Sequence, residues 1–99
     1  MTVVFSAAAE ADLESIADFI ASDNPSQAGL FVRQLRERCE RLAYSPRRHA
    51  IVPRYAAEKI RRCVYRDYLI FYRISGSDIE VPHVLHGARD YEAILDDRK

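Results

Sequence analysis

The sequence predicts an α+β fold, in which an N-terminal strand at residues 2–5 and an antiparallel hairpin of two helices pack on a three- to four-stranded antiparallel sheet. Two observations predict this fold: apolar residues recur at helical spacing in the first half of the chain and at alternate positions in the second half. Because 99 residues are about one domain's worth of chain and no linker or repeat divides them, we expect a single domain over residues 1–99.

Two amphipathic helices are predicted after the first strand. Ser6 is a good N-cap, and the apolar residues that follow it at intervals of three and four predict a helix over residues 7–22. Asn24 is a suitable cap and Pro25 is tolerated in a first turn, so the second helix is expected over residues 25–44. The link between the helices is so short that they must run antiparallel.

The second half of the chain has the alternating pattern of β-branched and aromatic residues that is typical of strands. We expect strands at residues 59–66, 68–74 and 79–86, joined by tight turns into a meander and followed by a tail over residues 87–99. Pro82 cannot donate a hydrogen bond to a neighbouring strand, so it predicts an edge position or a bulge within the last of these strands.

The charges are distributed unevenly along a chain whose formal net charge is zero. Residues 1–32 contain five acidic residues and no Lys or Arg, whereas residues 47–73 contain eight basic residues and two acidic ones. Part of the acidic excess is explained by a helix dipole, which favours carboxylates near the start of the first helix. The basic segment predicts an acidic partner, either a protein or a nucleic acid.

The sequence argues against several classes of protein. Cys39 and Cys63 lie in apolar segments without the spacing of a metal or redox pair, so we expect two reduced core thiols. No His, Cys and carboxylate residues have ligand spacing, and we expect neither a metal nor another cofactor. The chain has no apolar run long enough for a signal peptide or a membrane span, which predicts a cytoplasmic protein without membrane contact.

The strand at residues 68–74 is apolar on both of its faces. Two helices can cover only one face, and the other carries Leu69, Phe71 and Arg73. This second face would expose Leu69 and Phe71 unless the loop over residues 45–58 or the C-terminal segment covers it. Burying both side chains against a partner would contribute roughly 3–5 kcal/mol, and Arg73 could pair with a carboxylate of that partner.

Five segments, in order over nearly the whole chain, carry a resemblance to a known family. They are residues 9–16, 23–25, 42–46, 68–73 and 84–90. Together they resemble the ParE branch of the RelE/ParE toxin superfamily. The resemblance implies the toxin of a type II toxin-antitoxin system, which inhibits DNA gyrase by direct binding. It also implies a ParD-like antitoxin with a ribbon-helix-helix domain and an acidic C-terminal segment. Under this hypothesis the toxin contacts operator DNA only through the antitoxin.

We assign candidate residues to the two partners on this basis. The residues expected to bind the antitoxin are Leu69, Phe71, Arg73 and Arg62. The residues expected to bind the target are Arg61, Arg66, Arg89 and Tyr91. No residue is assigned a catalytic role under this hypothesis.

The alternative is a RelE-like ribosome-dependent mRNA endonuclease, which shares the fold but carries out chemistry. RNA cleavage needs a base, an acid and cations around the phosphate. RelE-like sequences have an arginine directly after the tyrosine of the second meander strand and a C-terminal tyrosine, where this chain has Leu69 and Leu95. The candidate catalytic residues would be Arg62, His86, Arg89 and Tyr91. A third hypothesis is that the chain has lost toxicity and persists as a partner of its antitoxin.

Overall fold

The computed structural model describes residues 1–87, in which one strand, two α-helices and three further strands follow one another in the order that the sequence predicts. The elements are β1 (Thr2–Phe5), α1 (Ala7–Asp23), α2 (Pro25–Glu40), β2 (Arg61–Tyr65), β3 (Tyr68–Ser75) and β4 (Asp78–His86). Two short 3-10 helices, Arg41–Tyr44 and Pro53–Glu58, lie between α2 and β2. Within the described residues, neither α-helix is long and apolar enough to cross a membrane. The predicted tail lies, except for Gly87, outside these residues.

The four strands form one sheet in the order β1-β4-β3-β2. The last three strands of the chain are the predicted antiparallel meander, and β1 pairs with β4 in parallel. The α+β class and the helical hairpin are confirmed, but the sheet is mixed rather than antiparallel throughout. Parallel neighbours need a long connection, which the two helices and the first strands of the meander provide.

Two predicted elements are shorter in the structure. The helix predicted over residues 25–44 is α-helical only to Glu40, after which Arg41–Tyr44 tighten into a 3-10 turn. The strand predicted to begin at residue 59 begins two residues later, because Lys59 has a φ of 58° and so cannot be extended. Arg66 has a φ of 54° and belongs to the turn after β2.

The core lies between the helical hairpin and one face of the sheet. Its buried side chains come from both α-helices, the 3-10 turn after α2 and three strands, and they are Ala9, Leu13, Ile16, Leu35, Cys39, Leu42, Cys63, Tyr68, Ile70, Tyr72, Ile79, Val81 and Val84. Both cysteines are free and buried, as predicted. Burial raises the pKa of the Cys39 thiol to about 12, so this side chain stays neutral and acts as a core residue.

Pro82 lies at a β-bulge, as predicted from its missing N–H. The register between β3 and β4 shifts between Phe71, which faces His83, and Arg73, which faces Glu80. Two steps along β3 therefore correspond to three steps along β4. The bulge accommodates the proline without the loss of a regular ladder hydrogen bond.

The bulge also changes which side chains of β4 face the helices. Ile79 and Val81 lie in the core before the bulge, and Val84 lies in the core after it. His86 follows Val84 on the same face, where its ring centroid lies 6.4 Å from that of Phe19. A regular strand would alternate without interruption and would place His86 on the opposite face.

Candidate functional site

The face of the sheet that points away from the helices is called the open face. Its side chains come from all four strands, and they are Val4, Arg62, Val64, Leu69, Phe71, Arg73, Glu80 and Leu85. His83 pairs with Phe71 in the register, but its side chain contacts Asp12 of α1. None of the open-face residues belongs to the core cluster between the sheet and the helices. The open face is therefore a second surface with its own apolar residues.

The apolar residues of the open face differ in exposure. Val64 is 61% exposed and Val4 is 45% exposed, whereas Leu69 is half-buried and Phe71 is only 6% exposed. The sequence left open whether Leu69 and Phe71 are exposed or covered by the chain itself. In the structure Phe71 is covered, whereas Leu69 is partly accessible. Phe71 lies in β3, a central strand with a neighbour on each side.

A row of apolar residues crosses the open face. Val64 in β2 lies opposite Leu69 in β3, which in turn lies opposite Leu85 in β4. Side chains that face each other across neighbouring strands are close enough to contact. The row is thus a continuous apolar strip from the edge strand β2 to β4, and Val64, its most exposed member, lies at the edge of the sheet.

A cavity of about 400 Å³ lies farther along the open face, separated from this strip by the pair of Arg62 and Phe71. It is lined by Val4, Ser6, Glu58, Ile60, Arg73, Glu80, Val81 and Pro82. Half of these residues are apolar, namely Val4, Ile60, Val81 and Pro82. Arg73 Nε donates to Glu80 Oε1 at 2.5 Å, so two of the three charged side chains in the wall form an ion pair. Glu58 and Ile60 show that the segment before β2 lies along one margin of the open face.

The two candidate target-binding arginines within the described residues, Arg61 and Arg66, do not form one surface. Arg61 is half-buried, and its Nη1 donates to the carbonyl oxygens of His49 at 2.6 Å and Arg47 at 3.2 Å. Arg66 is exposed in the turn after β2, where its guanidinium lies 5.6 Å from the centroid of the Tyr65 ring. Arg61 therefore holds the backbone of a loop, whereas Arg66 is accessible to a partner.

Two of the four candidate catalytic residues, Arg62 and His86, lie on opposite faces of the sheet. Arg62 is exposed on the open face, whereas His86 lies on the helical face with its ring edge-on to Tyr68 at a centroid distance of 5.1 Å. Arg89 and Tyr91 lie outside the described residues. A proton-transferring imidazole and a guanidinium that stabilises the phosphate must reach the same phosphodiester, so Arg62 and His86 cannot serve together in this arrangement.

Sequence reasoning missed two features of the sheet. Val64 was not singled out, although its alternation with Arg62 along β2 indicated that both point away from the core. Asp12 was interpreted through the helix dipole, but its Oδ2 lies 3.0 Å from His83 Nδ1 and accepts from the Val84 N–H at 3.0 Å. β1 pairs with β4 only as far as Val81, and Asp12 accepts the hydrogen bond of the Val84 N–H beyond that point.

The part of the chain that the structure describes contains no cluster of side chains that could bind a metal ion. No three His, Cys, Asp or Glu side chains among residues 1–87 come together as a metal site. The three ion pairs found there are pairwise contacts between oppositely charged side chains.

Comparisons with known proteins identify the family. A sequence model described as "ParE toxin of type II toxin-antitoxin system, parDE" matches residues 3–91. A solved structure, "Chromosomal ParDE TA system from P. aeruginosa", aligns with a TM-score of 0.73 at 20% identity, and the alignment covers 87% of this chain and 95% of that chain. This likeness shows a shared fold. No curated protein matches the sequence. The family match confirms the resemblance found in the sequence, and the chain therefore belongs to the ParE toxin family of type II toxin-antitoxin systems.

Proposed function

We propose that this toxin acts in the cytoplasm by binding DNA gyrase directly, without chemistry of its own, and that a ParD-like antitoxin neutralises it. The acidic C-terminal segment of the antitoxin lies over the open face in this proposal. The observation that carries it is the apolar strip of Val64, Leu69 and Leu85, which the helices of the chain leave uncovered. An exposed apolar surface of this kind is typical of a site that binds another polypeptide.

The strip supplies the main favourable term for antitoxin binding. Val64 is 61% exposed and Leu69 is half-buried, so a bound segment can still remove apolar surface from water. At about 25 cal/mol per Å², covering this surface contributes on the order of 2 kcal/mol. The cavity beside Arg73 offers room for a side chain of the same segment, which would fix the register of binding.

Two arginines of the open face, Arg62 and Arg73, suit an acidic segment to different degrees. Arg73 already pairs with Glu80, so an antitoxin carboxylate would compete with an existing partner. Arg62 is exposed beside Val64 and is in none of the ion pairs among residues 1–87. We therefore expect Arg62 to be the stronger contact of the two, although a solvent-exposed pair contributes only up to about 1 kcal/mol.

The separation of Arg62 from His86 favours binding over RNA cleavage. Stabilising a cleaved phosphodiester requires cations and proton donors that converge on one site. The open face instead places the apolar side chains of Val64 and Phe71 beside Arg62, and the imidazole of His86 lies on the other side of the sheet. The antitoxin, and not the toxin, would recognise operator DNA in this system.

Purified toxin and purified gyrase provide the test. We expect the toxin to inhibit DNA supercoiling, and we expect the antitoxin, added beforehand, to abolish that inhibition. A ribosome-dependent mRNA cleavage assay with the same preparation should give no cleavage. The proposal is wrong if supercoiling is undisturbed while mRNA is cut in a codon-dependent manner, with the cutting abolished in folded His86→Ala protein. Normal growth during expression of the toxin alone would instead favour a chain that has lost toxicity.

A further inference from the structure

A second concave surface lies where α2 ends and the loop toward β2 begins. It has a volume of about 190 Å³ and is lined by Arg38, Arg41, Leu42, Tyr44, Ser45, Arg48 and His49. We call it the cationic cleft, because three guanidinium groups and an imidazole ring line it and no carboxylate is among the described residues of its wall. It lies away from the open face and shares no residue with the cavity there.

The loop that forms one wall of the cationic cleft is held by side chains of the sheet. Tyr72 Oη donates to the carbonyl oxygen of Pro46 at 2.7 Å. Arg61 Nη1 donates to the carbonyl oxygen of His49 at 2.6 Å. Both donors belong to strands that pair with each other, so the backbone of the loop is fixed before any ligand binds. A fixed wall lowers the entropy cost of binding.

The positive charge of the cationic cleft is poorly compensated. None of the ion pairs in the described part of the chain involves Arg38, Arg41 or Arg48. Glu37 and Glu40 line a neighbouring cavity together with Arg41, so they offset the charge of Arg41 on one side. Arg38 and Arg48 keep their charge facing the cleft, and an anion bound there would stabilise both.

The helix dipole explains only part of this cluster. A cation in the last turn of a helix is favourable, which accounts for Arg38 in α2. It does not account for Arg48 and His49, which the loop brings to the same place. Arg38 Nη2 lies 3.4 Å from His49 Nε2, and burial together with the charges of Arg38 and Arg48 lowers the pKa of His49. The cleft thus disfavours a further positive charge and favours a negative one.

We propose that the cationic cleft binds one phosphate group of the backbone of duplex DNA. Guanidinium groups donate in a fixed fork that matches the oxygens of a phosphate. The cleft is small and polar, so it suits a compact anion better than an extended peptide, whose apolar side chains find partners on the open face. The choice of duplex DNA rests on the proposed function, because gyrase acts on duplex DNA. Recognition of the operator sequence remains with the antitoxin.

Two matched arginine variants test the cleft. Arg48→Gln removes a cation from the loop wall of the cleft. Arg33→Gln removes an exposed cation of α2 that does not line the cleft. Binding of the full chain to a short labelled DNA duplex is followed by fluorescence anisotropy over a series of salt concentrations. We expect Arg48→Gln to weaken binding about tenfold and to reduce the salt slope by about one. Arg33→Gln should weaken it by less than about twofold, since it leaves the cleft intact.

Several outcomes would overturn the assignment. Equal losses in both variants would indicate diffuse attraction of DNA to the basic surface, and unchanged binding in Arg48→Gln would exclude the cleft. Tighter binding of single-stranded RNA than of duplex DNA would assign the cleft to RNA. An equal loss of antitoxin affinity in Arg48→Gln would assign it to an acidic peptide. If Arg48→Gln does not fold by circular dichroism, Arg38→Gln provides the same test from the opposite wall.

The same variants separate this inference from the proposed function. Wild-type toxin that binds DNA but leaves supercoiling intact would contradict gyrase inhibition and leave the cleft assigned. Arg48→Gln toxin that binds DNA and inhibits gyrase as the wild type does would contradict the cleft alone. We expect Arg48→Gln to inhibit gyrase less than the wild type while its affinity for the gyrase protein without DNA stays unchanged.

Discussion

Arginine side chains have different roles in this toxin because their surroundings differ. Arg36 pairs with Glu10 across the two helices, and Arg61 fixes a loop through the carbonyl oxygen of His49. Arg62 is exposed beside the apolar strip of the open face. The sequence predicted a basic segment, but a charge count cannot say which cations are used inside the molecule and which face a partner. That division depends on contacts between residues far apart in the chain.

The pH dependence of stability tests the electrostatic environment of His49. Burial and the positive charges of Arg38 and Arg48 lower its pKa from the ordinary 6.5. The unfolded state therefore takes up a proton more readily than the folded state. The stabilising contribution of neutral His49 is present in full above pH 6.5 and is lost as the pH falls through the folded pKa. We expect His49→Gln to lose less stability than the wild type between about pH 7.5 and pH 5, since glutamine has no titrating group.

Urea unfolding at both pH values gives the two free energies of unfolding. The wild-type and His49→Gln proteins share all other titrating groups, so the difference between their pH profiles reports on His49. Besides the two arginines, the groups around the imidazole are the Tyr72 ring, at a centroid distance of 6.1 Å, and the Arg61 guanidinium at the His49 carbonyl oxygen. Identical profiles for the two proteins would contradict the lowered pKa.

Among the elements, β4 decides which residues reach each face of the sheet. Pro82 allowed the bulge to be predicted, because proline cannot donate to a ladder. The side on which His86 lies was not predicted, since a simple alternation of faces assumes a regular strand. Val81 and Val84, three positions apart, carried the signal, because both are apolar enough to belong to the core. Strand order and the parallel pairing of β1 had no such local signal, since they depend on how distant elements meet.

Replacing Gly87 with alanine tests how closely the end of β4 packs on the turn between β2 and β3, and Gly29 in α2 provides the matched control. Gly87 N–H donates to the Asp67 carbonyl oxygen at 2.8 Å, and a Cβ at Gly87 would lie 3.3 Å from that oxygen and 3.7 Å from Leu69 Cγ. Gly87→Ala should therefore lower the free energy of unfolding by about 1 kcal/mol. Gly29 lies in α2 with nothing within 4 Å of such a Cβ. Gly29→Ala should raise stability by roughly 0.5–1 kcal/mol, because alanine favours the helix.

Urea denaturation of the two alanine variants and the wild type measures both effects under the same conditions. The two substitutions add the same methyl group, so opposite signs would report the difference in surroundings. A stabilising Gly87→Ala would contradict the close approach of residue 87 to the turn.

The whole molecule has one sealed and one open side of its sheet. The two helices cover the face with Tyr68, Ile70 and Tyr72, as the alternation along β3 predicted. The cavity on the open face and the cationic cleft could not be predicted from the sequence, because each brings together segments that are distant in sequence. Pairing patterns along a strand are local, whereas a concave surface depends on how loops return to the sheet. The family, the fold class and the apolar nature of the open face were all accessible from the sequence.

The antitoxin affinity of two matched variants tests the docking role of the open face most directly. Val64→Asp places a charge in the apolar strip, and Leu30→Asp places the same charge at an aliphatic residue of α2 that is 41% exposed. Isothermal titration with the antitoxin measures both dissociation constants, and circular dichroism checks the fold. We expect Val64→Asp to weaken binding about tenfold or more, equivalent to about 1.4 kcal/mol, and Leu30→Asp to leave it nearly unchanged. A loss confined to Leu30→Asp, with full affinity in Val64→Asp, would contradict the account.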